Sequence, residues 1–427
     1  MFFGMLFQQF YNMMDTIIVG KALGVNALAA VGATGSINFM IIGFCMGVCS
    51  GFAIPVAQRF GAGDYHALRK YVANSVWLSA IFAGVMTVVV CVLCRQILLW
   101  MRTPQDIFDG AYSYIFVIFV GIPVTYLYNL LSGIIRSLGD SRSPLIFLVF
   151  SSLLNIALDL LLILSFHLGV AGAAYATVIS QAVSGVLCLI YMRKKFEVLK
   201  MTKEEWRMER GYMLHLCNMG IPMGLQYSIT AIGSVILQTA VNTLGSTAVA
   251  SVTAGSKVGM FFACPFDAMG ATMTTYAGQN VGAGKVDRVG RGMKACCIIG
   301  AVYSAAAFVV LYFFGEQVSL LFVDAAEQEI LHNSWLFLTI NAAFYLLLAL
   351  VNIVRFTIQG MGFSYLAILA GVCEMAARSV VGIFFVPLIG YKAACFASPM
   401  AWLCADLFLI PAFMYASKTL KRRLQDQ

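Results

Sequence analysis

Charged residues are scarce in this 427-residue chain. Asp, Glu, Lys and Arg make up 11% of it, whereas soluble domains carry about 25%. Hydrophobic residues make up 61%, which is more than a soluble core can bury, so much of this surface must face lipid or other buried helices. The composition therefore excludes a soluble globular protein and indicates a polytopic membrane protein whose solvent is the lipid bilayer.

Residues that build metal and redox centres are also few or poorly placed. The four histidines show no metal-ligand spacing, and the twelve cysteines are scattered through apolar runs. Cys91-Val-Leu-Cys94 has the spacing of a redox motif, but inside a hydrophobic span such thiols are usually packing residues. No cofactor is expected. Met1 runs into an apolar segment without a basic leader, which predicts no cleavable signal and is consistent with a truncated or misassigned start.

Long apolar runs are abundant, and about 20 apolar residues are enough to cross the hydrocarbon core. The first run is the least apolar, because Gln8, Gln9, Asn12 and Asp15 interrupt it. We expect an all-α integral membrane protein with twelve transmembrane helices, near residues 1–20, 28–54, 71–94, 111–131, 144–166, 170–192, 213–243, 248–277, 293–314, 335–357, 365–387 and 393–416.

Basic residues in the connections predict the orientation. With the N-terminus inside, 20 of the 27 Lys and Arg residues fall in cytoplasmic connections, and the opposite side holds only Lys21, Arg95, Arg102 and Lys392. This bias predicts a multi-pass protein of the inner (plasma) membrane with both termini in the cytoplasm. It also accounts for the net charge of +8, so no nucleic-acid partner is expected.

The chain contains an internal repeat. Residues 23–33 return at 244–254, and Gln58-Arg-Phe-Gly-Ala-Gly63 returns as Gln279-Asn-Val-Gly-Ala-Gly284, both at a shift of 221. One shift across two distant segments indicates a duplicated six-helix half, with the substrate path between the halves. The glycines that end Gln58–Gly63 and Gln279–Gly284 predict helix C-caps. The predicted domains are an N-terminal lobe (1–192), a cytoplasmic linker (193–212), a C-terminal lobe (213–416) and a basic cytoplasmic tail (417–427).

Ionisable residues inside spans cost about 2.5–3.5 kcal/mol each, so each needs an explanation. In the first span Gln8, Tyr11, Asn12 and Asp15 share one helical face, and in the fifth Asn155 and Asp159 are four residues apart. One interpretation is that Asp15 and Asp159 share a cavity. Burial and a neighbouring like charge would then favour the protonated carboxyl, so a proton could be exchanged near physiological pH. The same oxygens, with Asn155, could instead hold Na⁺. The alternative is that each Asp only fixes helix packing.

The second half lacks this polar face. At the shift of 221, Gln8, Tyr11 and Asp15 correspond to Ile229, Ile232 and Ile236. Because packing needs should be similar in both halves, this loss indicates that the N-terminal half alone carries a coupling site.

Polar residues of the second half are weaker candidates. Glu374 and Arg378, four apart, are expected to form a mostly structural ion pair. Lys257 and Asp267 are too far apart for a direct pair; one of them could meet substrate, although Lys257 could also snorkel to the interface. Gln238 and Asn242 are candidates for substrate hydrogen bonds or for packing. With Gln8 and Asn12, these residues form the predicted substrate cleft.

Several segments together resemble a known family, the multidrug and toxic compound extrusion (MATE) transporters. They are Asp15-Thr-Ile-Ile-Val-Gly20, Leu23-Gly-Val-Asn-Ala-Leu-Ala-Ala-Val, Gln58–Gly63, Arg136-Ser-Leu-Gly-Asp140, Asn155-Ile-Ala-Leu-Asp159 and Gln279–Gly284. The resemblance covers essentially the whole chain. It implies two six-helix bundles around a V-shaped cleft and cation-coupled export by a rocker-type movement.

The DinF-like branch of that family is the closer match. In it the resemblance implies an N-lobe cation site, which falls here on Tyr11, Asp15, Asn155, Asp159 and Thr177. The NorM-like branch also has a Glu in the seventh helix, where this chain has Thr230. That departure weakens any expectation of a C-lobe Na⁺ site.

We therefore expect a monomeric antiporter, not an enzyme, that uses H⁺ or Na⁺ to export bulky, amphipathic, cationic small molecules. One alternative is a lipid-linked saccharide flippase of the same superfamily. It would need a cationic cleft, for which Lys257, Arg355 and Arg378 are the few candidates. A polytopic membrane enzyme is a more distant alternative, because the sequence shows no His-Asp or Cys-His catalytic grouping.

Overall fold

The computed structural model describes residues 2–101, 103–323 and 325–425, which are almost entirely helical and, within those ranges, contain no strand. The chain divides into two compact units, Phe3–Tyr227 and Ser228–Gln427. The boundary falls inside one long helix, so the first part of that helix belongs to the first unit and the rest to the second. The division of the chain at the linker 193–212 stays a prediction.

The first unit contains seven α-helices and the beginning of an eighth. They are α1 (Phe2–Leu23), α2 (Val25–Ala62), α3 (Tyr65–Trp100), α4 (Gln105–Val120), α5 (Ile122–Ser137), α6 (Arg142–Leu160), α7 (Gly169–Lys195) and the start of α8 (Arg210–Asn242). A π-helical turn, Leu161–Ser165, extends α6.

The second unit contains the rest of α8 and seven further helices. They are α9 (Ser246–Gly282), α10 (Val286–Ser319), α11 (Gln328–Ala343), α12 (Tyr345–Gly360), α13 (Ser364–Val380), α14 (Val386–Ile389) and α15 (Tyr391–Gln425). Another π-helical turn, Val381–Phe385, joins α13 to α14.

The membrane-spanning segments agree with the sequence pattern. Among the described residues nine helices are long and apolar enough to cross a membrane, and two bent pairs, α4–α5 and α11–α12, raise the number to eleven. Helix α1, with 22 residues, corresponds to the first predicted span, which polar residues interrupt. It brings the number of segments to twelve. Counted this way, six segments fall in each half of the chain.

Two predicted spans are not straight. The fourth bends by 46° between α4 and α5, and the tenth bends by 51° between α11 and α12. In the first case Pro123 occupies the opening turn of α5, where its missing N–H and fixed φ suit a helix start rather than a helix interior. Hydrophobicity alone predicted one continuous run at each place, because a bend of this kind leaves the composition unchanged.

The backbone confirms the duplication. Gly63 and Gly284, the predicted caps, have positive φ angles of 71° each, a conformation that favours glycine at a helix end. Gly24 and Gly245, again 221 residues apart, have φ angles of 87° and 96°. The bent pair and the π-helical turn also occur once in each half.

Glycines bring α2 and the first part of α8 into backbone contact within the first unit. A Cβ placed on Gly51 would lie 2.5 Å from the Gly220 Cα, and one on Gly47 would lie 2.5 Å from the Met223 carbonyl oxygen. Such approach is possible only without side chains. Small residues spaced four apart are the usual device for close helix packing in a bilayer, where burial of apolar surface gives no driving force between helices.

Candidate cation-coupling site

Three helices of the first unit carry the predicted coupling residues. Asp15 lies on α1, Asn155 and Asp159 lie on α6, and Thr177 lies on α7. Asp15 is 8% exposed, Asn155 1% and Asp159 0%. The spacing of four in the α6 pair puts both side chains on one face of that helix. The π-helical turn begins two residues after Asp159, and such turns are frequent at functional sites.

The side chains of Asp15 and Asp159 interact directly through their carboxyl groups. The Oδ1 atom of each is buried and, among the described side chains, accepts no hydrogen bond. An ionised carboxylate removed from water without a partner costs several kcal/mol, and two adjacent carboxylates repel each other. The pair is therefore stable only with a bound proton or a bound cation. The structure thus brings together the two acids on which the sequence prediction depended.

Asn155 connects this acid pair to α7. In one orientation of its amide, Nδ2 donates to Thr177 Oγ1 at 3.4 Å. In the other, Nδ2 donates to Asp159 Oδ2 at 3.3 Å, and the amide oxygen accepts from the Thr177 backbone N–H at 3.2 Å. The second orientation satisfies both ends of the amide and is therefore the favoured one. Either way, Asn155 and Thr177 are adjacent, as predicted.

Tyr11 completes the predicted set and introduces residues that the sequence prediction missed. The Tyr11 hydroxyl interacts with the side chains of Thr177 and Gln181. Gln181 Oε1 in turn accepts a hydrogen bond from Thr125 Oγ1 at 3.1 Å. Gln181 is four residues after Thr177 on α7, so the helical period was a signal that could have identified it.

Tyr114 of α4 is a further missed member of the site. It is 7% exposed and interacts electrostatically with Asp15, Tyr11 and Asp159. Among the described residues, none of the groups that interact with the acid pair carries a positive charge. The site therefore presents oxygen atoms and net negative charge, which suit a proton or a hard monovalent cation.

Within the described ranges, no group of three or more His, Cys, Asp or Glu side chains could hold a metal ion. The acid pair has only two carboxylates, with neutral oxygens around them.

The predicted substrate-cleft residues fall in both units. In the first unit Gln8 is half-buried, and the side chain of Asn12 lies outside the described part of the structure. In the second unit Gln238 and Asn242 are exposed, and Gln238 Nε2 donates to Asn242 Oδ1 at 2.9 Å. The role of all these residues in a cleft stays a prediction.

The charged candidates of the second unit have separate partners. Lys257 is exposed, and its Nζ lies 5.8 Å from the centre of the Phe322 ring. Asp267 Oδ1 accepts from Asn352 Nδ2 at 3.2 Å. Lys257 and Asp267 therefore have different neighbours, in line with the expectation that they do not pair directly.

The predicted ion pair of the second unit is present and has an additional member. Arg378 Nη2 donates to Glu374 Oε2 at 3.4 Å, and the guanidinium of Arg355 on α12 pairs with the other carboxylate oxygen of Glu374. All three side chains are buried. The i, i+4 spacing predicted the first contact, whereas the contact with Arg355 crosses between helices and has no sequence spacing.

A family model described as MatE matches residues 1–161 and 222–388, well over half of the chain. The chain belongs to the MatE family. This MatE protein is 28% identical over 358 residues to "Probable multidrug resistance protein YoeA" of Bacillus subtilis (strain 168), an alignment covering 82% of this chain and 77% of that protein. It is 29% identical over 329 residues to "Probable multidrug resistance protein YpnP" of the same organism, with coverage of 76% and 72%.

A solved structure described as the outward-facing conformation of a multidrug resistance MATE family transporter has the same fold. Its TM-score is 0.91 at 23% identity, over 99% of this chain and 94% of that one. These matches confirm the expected all-α, two-lobe membrane fold of the MatE protein. They also identify it as a secondary transporter rather than an enzyme. The assignment to the DinF-like branch stays a prediction.

Proposed function

We propose that this MatE protein is a cation-coupled antiporter that exports amphipathic organic cations by alternating access. The observation that supports it best is the contact between two buried acids, Asp15 and Asp159, each with a carboxyl oxygen that accepts no hydrogen bond. We place the protein in the inner (plasma) membrane with cytoplasmic termini, because 20 basic residues then face the cytoplasm. We further propose that it acts as a monomer.

Binding of a cation changes the stability of the acid pair. A proton on one carboxyl removes the repulsion and lets Asp15 and Asp159 share a hydrogen bond. Its loss leaves two charges in a buried site, which favours opening to water or to another cation. Since α1, α6 and α7 all contribute side chains, the bound state joins three helices and the empty state separates them. Ion entry supplies about 2.3 kcal/mol per charge per 100 mV, plus any concentration gradient.

The coupling ion is H⁺ or Na⁺. Na⁺ would use the two carboxylates together with the oxygens of Asn155 and Thr177, which suit a hard cation. A proton would need only the carboxyl pair. Drugs as cargo are supported by the two Bacillus subtilis relatives, which are described as probable multidrug resistance proteins.

Transport by purified protein in liposomes tests the proposal. We expect Asp15→Asn and Asp159→Asn each to abolish drug export driven by an imposed pH or Na⁺ gradient, because a neutral amide cannot exchange the cation. Both proteins should remain folded in size-exclusion chromatography. Asp106→Asn, at an exposed position in the first turn of α4, is the matched control and should transport normally. Unchanged transport in both site variants would refute cation coupling at this pair.

The flippase alternative is less well supported. A pyrophosphate group needs guanidinium or ammonium groups that face it, but Arg355 and Arg378 both pair with the buried Glu374. Turnover of a lipid-linked saccharide without any ion gradient would favour the flippase over the antiporter.

A further inference from the structure

The second unit contains a group of five charges that the coupling site does not use, and four of them are buried. We call it the C-terminal charge cluster: Asp267 on α9, Arg355 on α12, Glu374 and Arg378 on α13, and Asp406 on α15. Arg355 is 5% exposed, Glu374 3% and Asp406 3%. Ionisable side chains at membrane depth are costly, so four buried ones in one cluster need a reason beyond packing.

Asp406 is the buried acid of the cluster that lacks a hydrogen-bond donor. Among the described residues, no group donates to either of its carboxylate oxygens. Its own helix places apolar side chains beside it, including Trp402 and Leu409, which are 7% and 0% exposed. Of the ionisable groups on neighbouring helices, Arg355 from α12 and the Cys297 thiol from α10 interact with Asp406 electrostatically. Glu374 and Arg378 from α13 connect to it through Arg355.

The other two carboxylates have donors. Glu374 accepts from both guanidinium groups. Asp267 accepts from Asn352, interacts with Arg355 and is exposed to solvent. The cluster thus has three acids and two guanidinium groups, so it becomes neutral when one acid holds a proton. Asp406, without a donor and away from water, is the acid whose ionisation would cost most.

We propose that the C-terminal charge cluster is a second proton-exchange site, in which Asp406 carries the proton and Arg355 changes its carboxylate partner when that proton leaves. With an O–H bond on Asp406, Arg355 pairs with Glu374. Release of the proton leaves a second carboxylate near the same guanidinium, and an unpaired buried charge costs several kcal/mol. Arg355 then moves toward Asp406, and Glu374 keeps Arg378. Because these groups lie on three helices, proton release changes the contacts between α12, α13 and α15.

Infrared spectroscopy of the purified protein tests the proton site without transport. In the Asp15→Asn/Asp159→Asn protein, the C=O band of a protonated carboxyl should persist at neutral pH and disappear on raising the pH. At neutral pH the band should be missing when Asp406→Asn is added. Asp287→Asn, whose side chain is 80% exposed and pairs with Lys421, should leave it unchanged. If the double variant, which leaves the cluster intact, shows no such band at neutral pH, the inference is wrong, whether or not the triple variant folds.

The transport part rests on the proposed function and has its own measurement. With the membrane potential clamped at zero, one proton per substrate gives a tenfold equilibrium substrate ratio per pH unit, and two protons give a hundredfold ratio. We expect about a hundredfold ratio for the wild type and about tenfold for Asp406→Asn. A tenfold ratio in both would overturn a transport role for the cluster. Absence of any substrate ratio under both imposed pH and imposed Na⁺ gradients would instead refute the proposed function, and the infrared titration would still decide the proton site.

Discussion

Replacing Asp140 with Asn should destabilise the protein by about 2 kcal/mol at neutral pH. Asp140 lies between α5 and α6, and its side chain is 17% exposed. Its Oδ1 accepts from the backbone N–H groups of Arg142 and Ser143, both at 3.0 Å. Its Oδ2 accepts from Ser143 Oγ at 2.7 Å and from the Tyr191 hydroxyl at 2.6 Å. One carboxylate therefore fixes the start of α6 and ties it to α7.

The magnitude follows from the pKa of this carboxyl. Burial alone would raise the pKa of Asp140, but the hydrogen bonds from Tyr191, Ser143 and Arg142 outweigh burial and lower it from 3.8 to about 2. That difference corresponds to about 2 kcal/mol. Because the pKa is lower in the folded state, the stabilisation is complete above about pH 4 and is lost as the pH falls through about 2. Asn carries no charge, so the variant lacks this contribution at every pH.

Chemical unfolding in detergent, followed by the fluorescence of the five tryptophans, measures the effect. The free energies of unfolding of wild type and Asp140→Asn should differ by about 2 kcal/mol at pH 7, and the difference should close toward pH 2. Tyr191→Phe removes one of the hydrogen bonds, so it should reproduce part of the loss. The exposed Asp287→Asn should change little. Equal stabilities at pH 7, or a gap that persists unchanged in acid, would refute the reasoning.

Three other substitutions test separate parts of the structure. Glu205, in the linker, is 2% exposed and accepts from Arg69 Nε at 2.7 Å and from a backbone N–H at 2.9 Å. Glu205→Gln should lower the free energy of unfolding by about 1.5–3 kcal/mol in the same assay. A loss near zero would show that these contacts do not hold the linker in place. Gly51→Ala should lower the free energy of unfolding by about 1–3 kcal/mol. Gly35→Ala is the control, because its Cβ would meet nothing within 4 Å, and it should be neutral or stabilising. Equal effects of the two substitutions would contradict the close α2–α8 contact. Gln181→Leu should lower the initial rate of pH-driven export about tenfold, since about 1.4 kcal/mol of hydrogen bonding is lost, and a normal rate would remove Gln181 from the site.

Much of the fold was predictable because the bilayer imposes a strict requirement on sequence. Each span must be apolar over about 20 residues, and a repeated half carries its turn glycines with it, as Gly63 and Gly284 show. The bends at Gly121 and Phe344 were not predicted. Each bend leaves an unbroken hydrophobic run, and only Pro123 marked one of them.

The proximity of the candidate coupling residues was predictable because polar side chains in a span are conspicuous. Asp15 and the Asn155–Asp159 pair stood out in apolar runs, and the structure places them together. Contacts made across helices were harder to predict, since no sequence spacing encodes them. Arg355 pairs with Glu374 over 19 residues of sequence and between two helices. Asp406 was not identified from the sequence, although it is a lone acid in the last span. A lone acid in a span is informative, because burying its charge in the membrane is costly.

The two halves share the same arrangement of helices along the chain but differ in the charged side chains that they bury. At the shift of 221, Asn155 and Asp159 correspond to Ala376 and Val380, so the repeat preserved the helices and not the acids. In the first unit the acid pair has no cationic neighbour among the described residues, and only an external cation can neutralise it. In the second unit Arg355 and Arg378 neutralise most of the charge internally, and what remains is one acid that a proton suffices to satisfy. On the proposed function, a small hard cation such as Na⁺ would therefore fit the first unit alone, because the guanidinium groups of the second would repel it. In that proposal, duplication supplied two similar sets of helices, and the position of two arginines decides which ions each set can accept.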